Sequence, residues 1–229
     1  MSDSAILDVD PTWREAHPGA SVGLIAMRGV TNPATHDGLN DLASALENDV
    51  RSRLGTADRE TIRAMPPLPA YAAYYKTWGQ RYHVAMQLES VAQKGKPLPR
   101  VAALVEAMFI AELGNLLLTA GHDLDALDLP VRLGAGDGET FTGPNGKEMA
   151  VKADDMFMAD ARGRVLSAII NGPSDFARIG PETTAALFYC YAPPGVDPAL
   201  VAIHLAEIER NVRLISPEAE VVGREIVTA

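Results

Sequence analysis

Cysteine is almost absent from this chain of 229 residues, since Cys190 is the only one. An internal disulfide therefore cannot form, and such sparing use of cysteine is typical of a reducing compartment. The five histidines are scattered and show no zinc-ligand spacing with one another or with Cys190. Neither a Gly-x-Ser-x-Gly elbow nor a Gly-x-x-x-x-Gly-Lys-Ser/Thr phosphate loop is present. The sequence predicts a protein without a metal or another cofactor.

Positive charge is also scarce. Lys and Arg number 20 against 30 Asp and Glu, a formal net charge of −10. Broad, non-specific nucleic-acid binding depends on cations that displace counterions from phosphates, so this balance argues against it and leaves room only for a local basic patch.

A long hydrophobic run without charge is missing as well. Residues 101–120 are mostly apolar, but Glu106 and Glu112 interrupt them, which favours a buried helix over a membrane span. The acidic N-terminus lacks the basic and apolar regions of a signal peptide. We therefore expect a cytoplasmic protein.

The first half of the chain has mainly helical patterns, while the second half has short strand patterns separated by Gly-rich and Pro-rich turns. Helices are predicted at 36–54, 57–65, 71–87, from about 101 to 120, and 198–215. Strands are predicted at 6–9, 22–30, 131–133, 139–142, 148–151, 156–160, 165–170 and 185–192. The tail from Pro217 fits one more strand or a frayed end. These patterns predict a single α+β domain over residues 1–229, in which the closely spaced short strands form a meander or a small sandwich.

Aromatic residues make up only 6% of the chain, yet several of them fall at helical spacing between Tyr71 and Tyr82. Such a stripe is usually core, and stacking on a nucleobase is the alternative. The densest basic region of the first half flanks it, and there a phosphate would be tolerated best. Its members are Lys76, Arg81, Lys94, Lys96 and Arg100.

Polar side chains collect at two turns in the second half of the chain. The first cluster is His122, Asp123 and Asp125, and the second is Asn171, Ser174 and Asp175. Asp and Asn at such positions commonly bind nearby backbone N–H groups, so ordinary turn chemistry explains both clusters. The alternative is a pocket in which the carboxylates meet an ammonium group and the second cluster positions a water. Glu139 points to the same pocket or to solvent.

The order of these motifs resembles the editing module of the phenylalanyl-tRNA synthetase beta subunit, and still more its freestanding single-domain relatives. The match runs from about residue 65 to 215, with 1–64 as an N-terminal α/β extension of the same unit. The segments that carry it are Tyr71–Gly79, Gly95–Pro99, Gly121–Asp125, Gly138-Glu139, Asp154–Asp160, and Asn171…Ser174-Asp175 followed by Thr183-Thr184.

The resemblance implies a mixed sheet or β-sandwich-like core with packed helices. It also implies an aminoacyl-tRNA deacylase that hydrolyses the ester of a mischarged tRNA in trans, with no cofactor. The implied partners are the aminoacyl 3′ end of tRNA and an aminoacyl-tRNA synthetase. Catalytic roles fall to Asn171, Asp175 and His122. Substrate binding falls to Asn115, Thr119, Asp123, Asp125, Glu139 and Ser174, and tRNA binding to Lys76, Arg81, Lys96 and Arg100.

This sequence departs from the family pattern at several positions. Thr119 stands where the synthetase module has a His, Tyr189 or Cys190 where it has a Glu, and Phe109 and Glu112 where the relatives have an Asn and a Ser. The synthetase's specificity for tyrosine therefore does not carry over. Two alternatives stay open: a non-catalytic module that binds tRNA or an amino acid, and a hydrolase of small-molecule esters or amides.

Overall fold

A computed structural model describes residues 5–229. The first four residues belong to the acidic N-terminus on which the expectation of no signal peptide depends, and they lie outside the described residues. Seven α-helices occur within 5–229. They are α1 (Pro11–Ala16), α2 (Asp37–Leu54), α3 (Arg59–Arg63), α4 (Leu68–Lys76), α5 (His83–Lys94), α6 (Ala103–Asn115) and α7 (Pro198–Ile215).

The strands form a five-stranded sheet of order β1-β4-β7-β8-β9, a four-stranded sheet of order β11-β2-β10-β3, and a separate hairpin β5-β6. Their bounds are β1 (Leu7–Val9), β2 (Ser21–Arg28), β3 (Leu118–Asp123), β4 (Val131–Ala135), β5 (Thr140–Thr142), β6 (Glu148–Ala150), β7 (Met156–Ala159), β8 (Val165–Ala168), β9 (Gly172–Pro173), β10 (Ala185–Ala192) and β11 (Glu220–Thr228). Within these residues only β1 and β4 pair in parallel. The α+β class and the mixed sheet predicted from the sequence are confirmed.

The central strand β10 explains how the layers stack. All eight of its residues are buried, so both faces of the four-stranded sheet are covered at β10. Side chains alternate between the faces. Cys190 pairs in register with Gly23 and Thr119 on the face covered by α7, whereas Tyr189 and Tyr191 reach Ser167 of β8 on the other. The order is therefore helices, four-stranded sheet, five-stranded sheet, with β3 at one edge.

One hydrophobic cluster runs through both sheets and the helices. A smaller one, which includes Phe141, Val151 and Phe157, lies between the β5-β6 hairpin and the five-stranded sheet. Across residues 5–229, none of the helices has the length and apolar character needed to cross a membrane.

The largest departure from the predicted secondary structure lies after α6. The helix was predicted to continue to about Ala120, but it ends at Asn115, and Leu116 turns the chain with a φ of 59°. Leu118–Asp123 then pairs with β10 as a strand. The apolar run hides this boundary, because buried helix and buried strand have the same composition. His122 and Asp123 consequently lie on the edge strand itself.

Close packing of α7 on β2 gives a first testable prediction. A Cβ at Gly23 would collide with the stiff Val201 side chain and lie 3.0 Å from Leu205 Cδ1. We expect Gly23→Ala to lower the free energy of unfolding by about 1–3 kcal/mol in urea denaturation, as overpacked cores do. Gly180→Ala is the matched control, because its Cβ would meet nothing within 4 Å. Equal stability of the two variants would contradict the packing described.

Candidate functional site

A cavity of about 630 Å³ opens at the β3 edge of the two-sheet core. Strand β3 forms one wall, β8 and β9 the opposite wall, and α6 with the start of α5 the roof. Its lining is predominantly apolar and includes Val105, Phe109 and Ile179. A mostly apolar concavity with a few polar groups is the usual form of a small-molecule site.

Glu112 is the only acidic residue in the lining described. It is 4% exposed, and its Oε2 accepts a hydrogen bond of 2.8 Å from the Thr119 backbone N–H. Among the described residues no Lys, Arg or His forms an ion pair with it. Burial raises its pKa to about 8, against the opposing effect of the Thr119 hydrogen bond.

A chain of buried hydrogen bonds runs from the floor of the cavity into the core. Ser167 Oγ lies 2.8 Å from the Tyr189 hydroxyl, which lies 2.9 Å from His122 Nε2. The Tyr191 hydroxyl lies 3.0 Å from the same Ser167 Oγ. Ser167, Tyr191 and His122 border the cavity, and Tyr189 connects them from behind. We refer to Ser167, Tyr189 and His122 as the hydroxyl relay.

The surroundings of His122 determine which group donates and which accepts in each hydrogen bond of this relay. Burial lowers the pKa of His122 to about 4, and the backbone of Phe176 and Ala177 beside the ring opposes that shift only in part. The imidazole is therefore neutral at pH 7. Nδ1 is buried and without a well-formed hydrogen bond, so we place the single ring proton there, towards those backbone carbonyls. Nε2 then accepts from the Tyr189 hydroxyl, and the Tyr189 oxygen accepts from Ser167.

A second buried network holds the wall formed by α6 and β3. Thr119 Oγ1 lies 2.7 Å from His204 Nε2, and Asn115 Nδ2 lies 3.3 Å from His204 Nδ1 and 2.7 Å from Glu207 Oε2. His204 is fully buried, and burial lowers its pKa to about 4. This network fixes Thr119 and Asn115 on the α7 side of the cavity wall.

The outer edge of β3 is only partly covered. The Thr119 N–H is bound by Glu112, and the Asp123 N–H donates to the Ala177 carbonyl at 2.8 Å. Alternate residues of a strand direct their backbone groups to the same edge, so the Gly121 N–H points outward between them. Gly121 borders the cavity. Its N–H is a donor available to a bound ligand.

The structure brings three of the predicted site residues to the cavity. His122, Thr119 and Ser174 line it, and the Ser174 hydroxyl points to the Phe176 carbonyl. Asn115 lies behind the wall in the His204 network. The roles assigned to these residues stay predictions.

Five other predicted site residues lie outside the lining. Asn171 donates to the Ala150 carbonyl, and Asp175 pairs with Arg178 at 3.0 Å. Asp123 accepts from the Thr183 hydroxyl at 2.7 Å. Asp125 pairs with Arg28 at 2.8 Å, and Glu139 accepts from the Asp137 N–H. These contacts are of the local kind by which ordinary turn chemistry explained both clusters, together with two ion pairs that the sequence did not predict.

The predicted tRNA-binding cations differ in their surroundings. Lys76, Arg81 and Lys96 are exposed. Arg100 instead pairs with Glu47 at 3.0 Å and with Glu106 at 3.2 Å. Arg178, which the sequence did not single out, is a cation of the cavity lining.

The aromatic stripe is part of the core. All six tyrosines of the chain are at most 8% exposed. Tyr71 and Tyr82 stack at 4.1 Å between ring centroids, and the Tyr74 hydroxyl donates to Asp155 Oδ1 at 2.7 Å. These rings are unavailable to a nucleobase in this conformation.

Sequence reasoning missed Ser167 and assigned no chemical role to Glu112 or to Tyr189 and Tyr191. The position of Glu112 could have indicated a functional role, because a carboxylate inside an apolar helix is costly to bury unless it is paired. The alternation Tyr-Cys-Tyr in β10 placed both hydroxyls on one face. Ser167 had no signal of its own. Among residues 5–229, no cluster of three or more His, Cys, Asp and Glu side chains is arranged to hold a metal ion.

Comparison with known proteins finds a likeness among solved structures. No family model and no curated protein matches the chain. Among solved structures, the fold is similar to an N-terminal fragment of the phenylalanyl-tRNA synthetase beta subunit from Pyrococcus horikoshii, with a TM-score of 0.49 and 11% identity. The alignment covers 97% of this chain and 50% of that fragment, so the chain spans about half the fragment's length.

Proposed function

We propose that the protein is a deacylase that hydrolyses the ester between an amino acid and the 3′ end of a mischarged tRNA, acting in trans. The observation that carries the proposal is the hydroxyl relay at the floor of an apolar cavity. The motif order in the sequence supports the choice of substrate, because it resembles modules that remove wrongly attached amino acids.

In the proposed reaction a water molecule at Ser167 Oγ attacks the ester carbonyl. Its oxygen forms the new bond to carbon while its proton passes to Ser167, the Ser167 proton passes to Tyr189, and the Tyr189 proton passes to His122 Nε2. Collapse of the tetrahedral intermediate breaks the bond to the ribose oxygen, which regains a proton as the relay resets. At pH 7 His122 is neutral, so its Nε2 lone pair can accept the proton. With a pKa of about 4 it is a weak base, so this transfer is uphill and reverses readily as the relay resets.

Charge that develops on the carbonyl oxygen requires a donor, and the outward N–H of Gly121 supplies one beside the relay. Fixed backbone donors of this kind stabilise an oxyanion without reorganising. An aminoacyl ester is already activated, so a positioned water and such a donor are sufficient machinery. Asn171 and Asp175 remain predicted contributors from the β9 side, and Lys76, Arg81 and Lys96 remain predicted contacts for tRNA phosphates.

The proposal is tested with a panel of mischarged tRNAs. We expect the protein to release the amino acid from at least one of them, and Val105→Trp, which fills the cavity from α6, to abolish release. Ile203→Trp is the matched control, because Ile203 is exposed on α7 and outside the lining. No release from any species would overturn the proposal, as would equal activity of the two variants.

A second candidate is a hydrolase or binding module for free small molecules. The net charge of −10 favours it, because phosphate recognition is the element of the first proposal that the composition supports least. Binding of tRNA at low salt separates the two. Retained hydrolysis of amino-acid esters without measurable tRNA binding would select the second candidate.

A further inference from the structure

Glu112 has no role in the proposed hydrolysis, yet it is the most unusual group in the cavity. A buried carboxylate is normally paired with a cation or fully hydrogen-bonded, because taking it out of water is costly. Here Oε2 has one backbone partner, Thr119 N–H, and no described cation pairs with the group. Oε1 is not among the polar atoms enclosed without a partner, so the carboxylate borders the cavity space itself.

The cation of the lining, Arg178, does not neutralise the Glu112 carboxylate. The Arg178 guanidinium is bound to Asp175, at 3.0 Å, and both side chains are about half exposed or more. The rest of the lining is mainly apolar, including Met108 and Phe109. Its other polar side chains, among them Gln87 and Thr119, carry amide, hydroxyl or imidazole groups and no second carboxylate. A ligand of matching chemistry carries one positive charge beside an apolar body.

We infer that the cavity binds ligands with a primary ammonium group next to an apolar side chain, and that Glu112 is the counter-ion of that ammonium. For an ester substrate this places the α-ammonium of the aminoacyl group at Glu112, and in that respect the inference rests on the proposed function. Binding of a free amine does not depend on it. The raised pKa of Glu112 agrees with a carboxylate that lacks its cationic partner until a ligand arrives.

Amino-acid amides test the inference without hydrolysis of an ester. The amides of alanine, leucine, methionine and phenylalanine are titrated by calorimetry at pH 7.5, where most of their α-amino groups are protonated, each beside its N-acetyl derivative, which keeps the side chain and removes the charge. We expect at least one amide to bind about 10- to 100-fold more tightly than its N-acetyl form, the range of a charge-assisted hydrogen bond.

The variant Glu112→Gln is expected to remove that difference while leaving the weak affinity for the N-acetyl form unchanged. Glu106→Gln is the matched control, because Glu106 is a buried glutamate of the same helix that pairs with Arg100 outside the lining. It is expected to keep the preference for the charged amide. Equal affinities of the two forms for the wild-type protein, no binding of any amide, or an unchanged preference in Glu112→Gln would each overturn the inference.

These outcomes are distinguishable from failure of the proposed function. A preference for charged amides that requires Glu112, without release of any amino acid from tRNA, supports the inference and rejects the deacylase. Release from tRNA at the wild-type rate by Glu112→Gln supports the deacylase and rejects the inference.

Discussion

Ser167→Ala is expected to slow release of the amino acid from a susceptible tRNA by about 10²- to 10⁴-fold, the usual contribution of a positioned acid or base. The change removes the hydroxyl of the relay that borders the floor of the cavity and that we propose to hold the attacking water. Substrate affinity should be nearly unchanged, because the lost hydroxyl acts on the reaction and not on the side-chain pocket. Single-turnover kinetics and a separate binding titration measure the two quantities.

The matched control is Ser216→Ala, which also removes a buried hydroxyl but lies beside Thr31, outside the cavity lining. It should keep the wild-type rate. Tyr189→Phe leaves Ser167 in place and interrupts the relay behind it, so we expect a loss of similar size. Wild-type activity in Tyr189→Phe would show that no proton passes through this hydroxyl, and Ser167 alone would then have to position the water.

Glu112→Gln is expected to increase stability, and the increase should grow with pH. The folded protein holds the Glu112 pKa at about 8, whereas the ordinary value is 4.5, so folding favours the protonated form. Below pH 4.5 the carboxyl is neutral in both states and has no electrostatic cost. Between pH 4.5 and 8 the wild-type protein loses about 1.4 kcal/mol per pH unit from this group, and above pH 8 the cost is constant.

Glutamine keeps an oxygen that can accept from the Thr119 N–H and has no charge to bury. The difference in unfolding free energy between Glu112→Gln and the wild type should therefore rise from near zero at pH 4.5 to at most about 5 kcal/mol at pH 8–9. Urea denaturation at several pH values measures it. His122 and His204 also make stability depend on pH, because their lowered pKa values remove stability as the pH falls from 6.5 towards 4. Their contributions are the same in both proteins and cancel in the difference. A difference that does not vary with pH would contradict the buried, uncompensated carboxylate.

Much of the fold could be predicted from the sequence, wherever a local pattern of apolar residues, caps and turn residues is strong. Strand β10 was predicted with its observed bounds, because a Pro-Pro-Gly turn ends an uninterrupted apolar run. Helix α7 was predicted from Asp197, whose side chain caps the Ala199 N–H, and from the Pro that follows. The α6–β3 boundary was missed, because Leu116 makes the turn without a glycine or proline to mark it.

The site was harder to predict from the sequence, because its residues come together only when strands pair and the two sheets pack. Ser167 and His122 are 45 positions apart in the chain and meet through Tyr189, whose position depends on the register of β10. Polar residues that lie close together in the sequence, such as Asp123 and Asp125, were predicted as site residues instead. In the structure Asp123 binds the Asp125 N–H and the Thr183 hydroxyl, which is what short-range polar clusters usually do.

The hydrogen bond between Glu112 and the Thr119 N–H has a consequence for association between molecules. An uncovered edge strand is a template on which another chain can add a strand and begin to aggregate. Glu112 binds one outward N–H of β3 and the Ala177 carbonyl binds another, and His122 forms an antiparallel bridge with Arg178, so of the outward N–H groups at 119, 121 and 123 only that of Gly121 remains open. A single open N–H group offers too short a length of strand edge for a second strand to pair with. The carboxylate that we assign to ligand recognition thus also keeps the mouth of the cavity from becoming a surface for self-assembly.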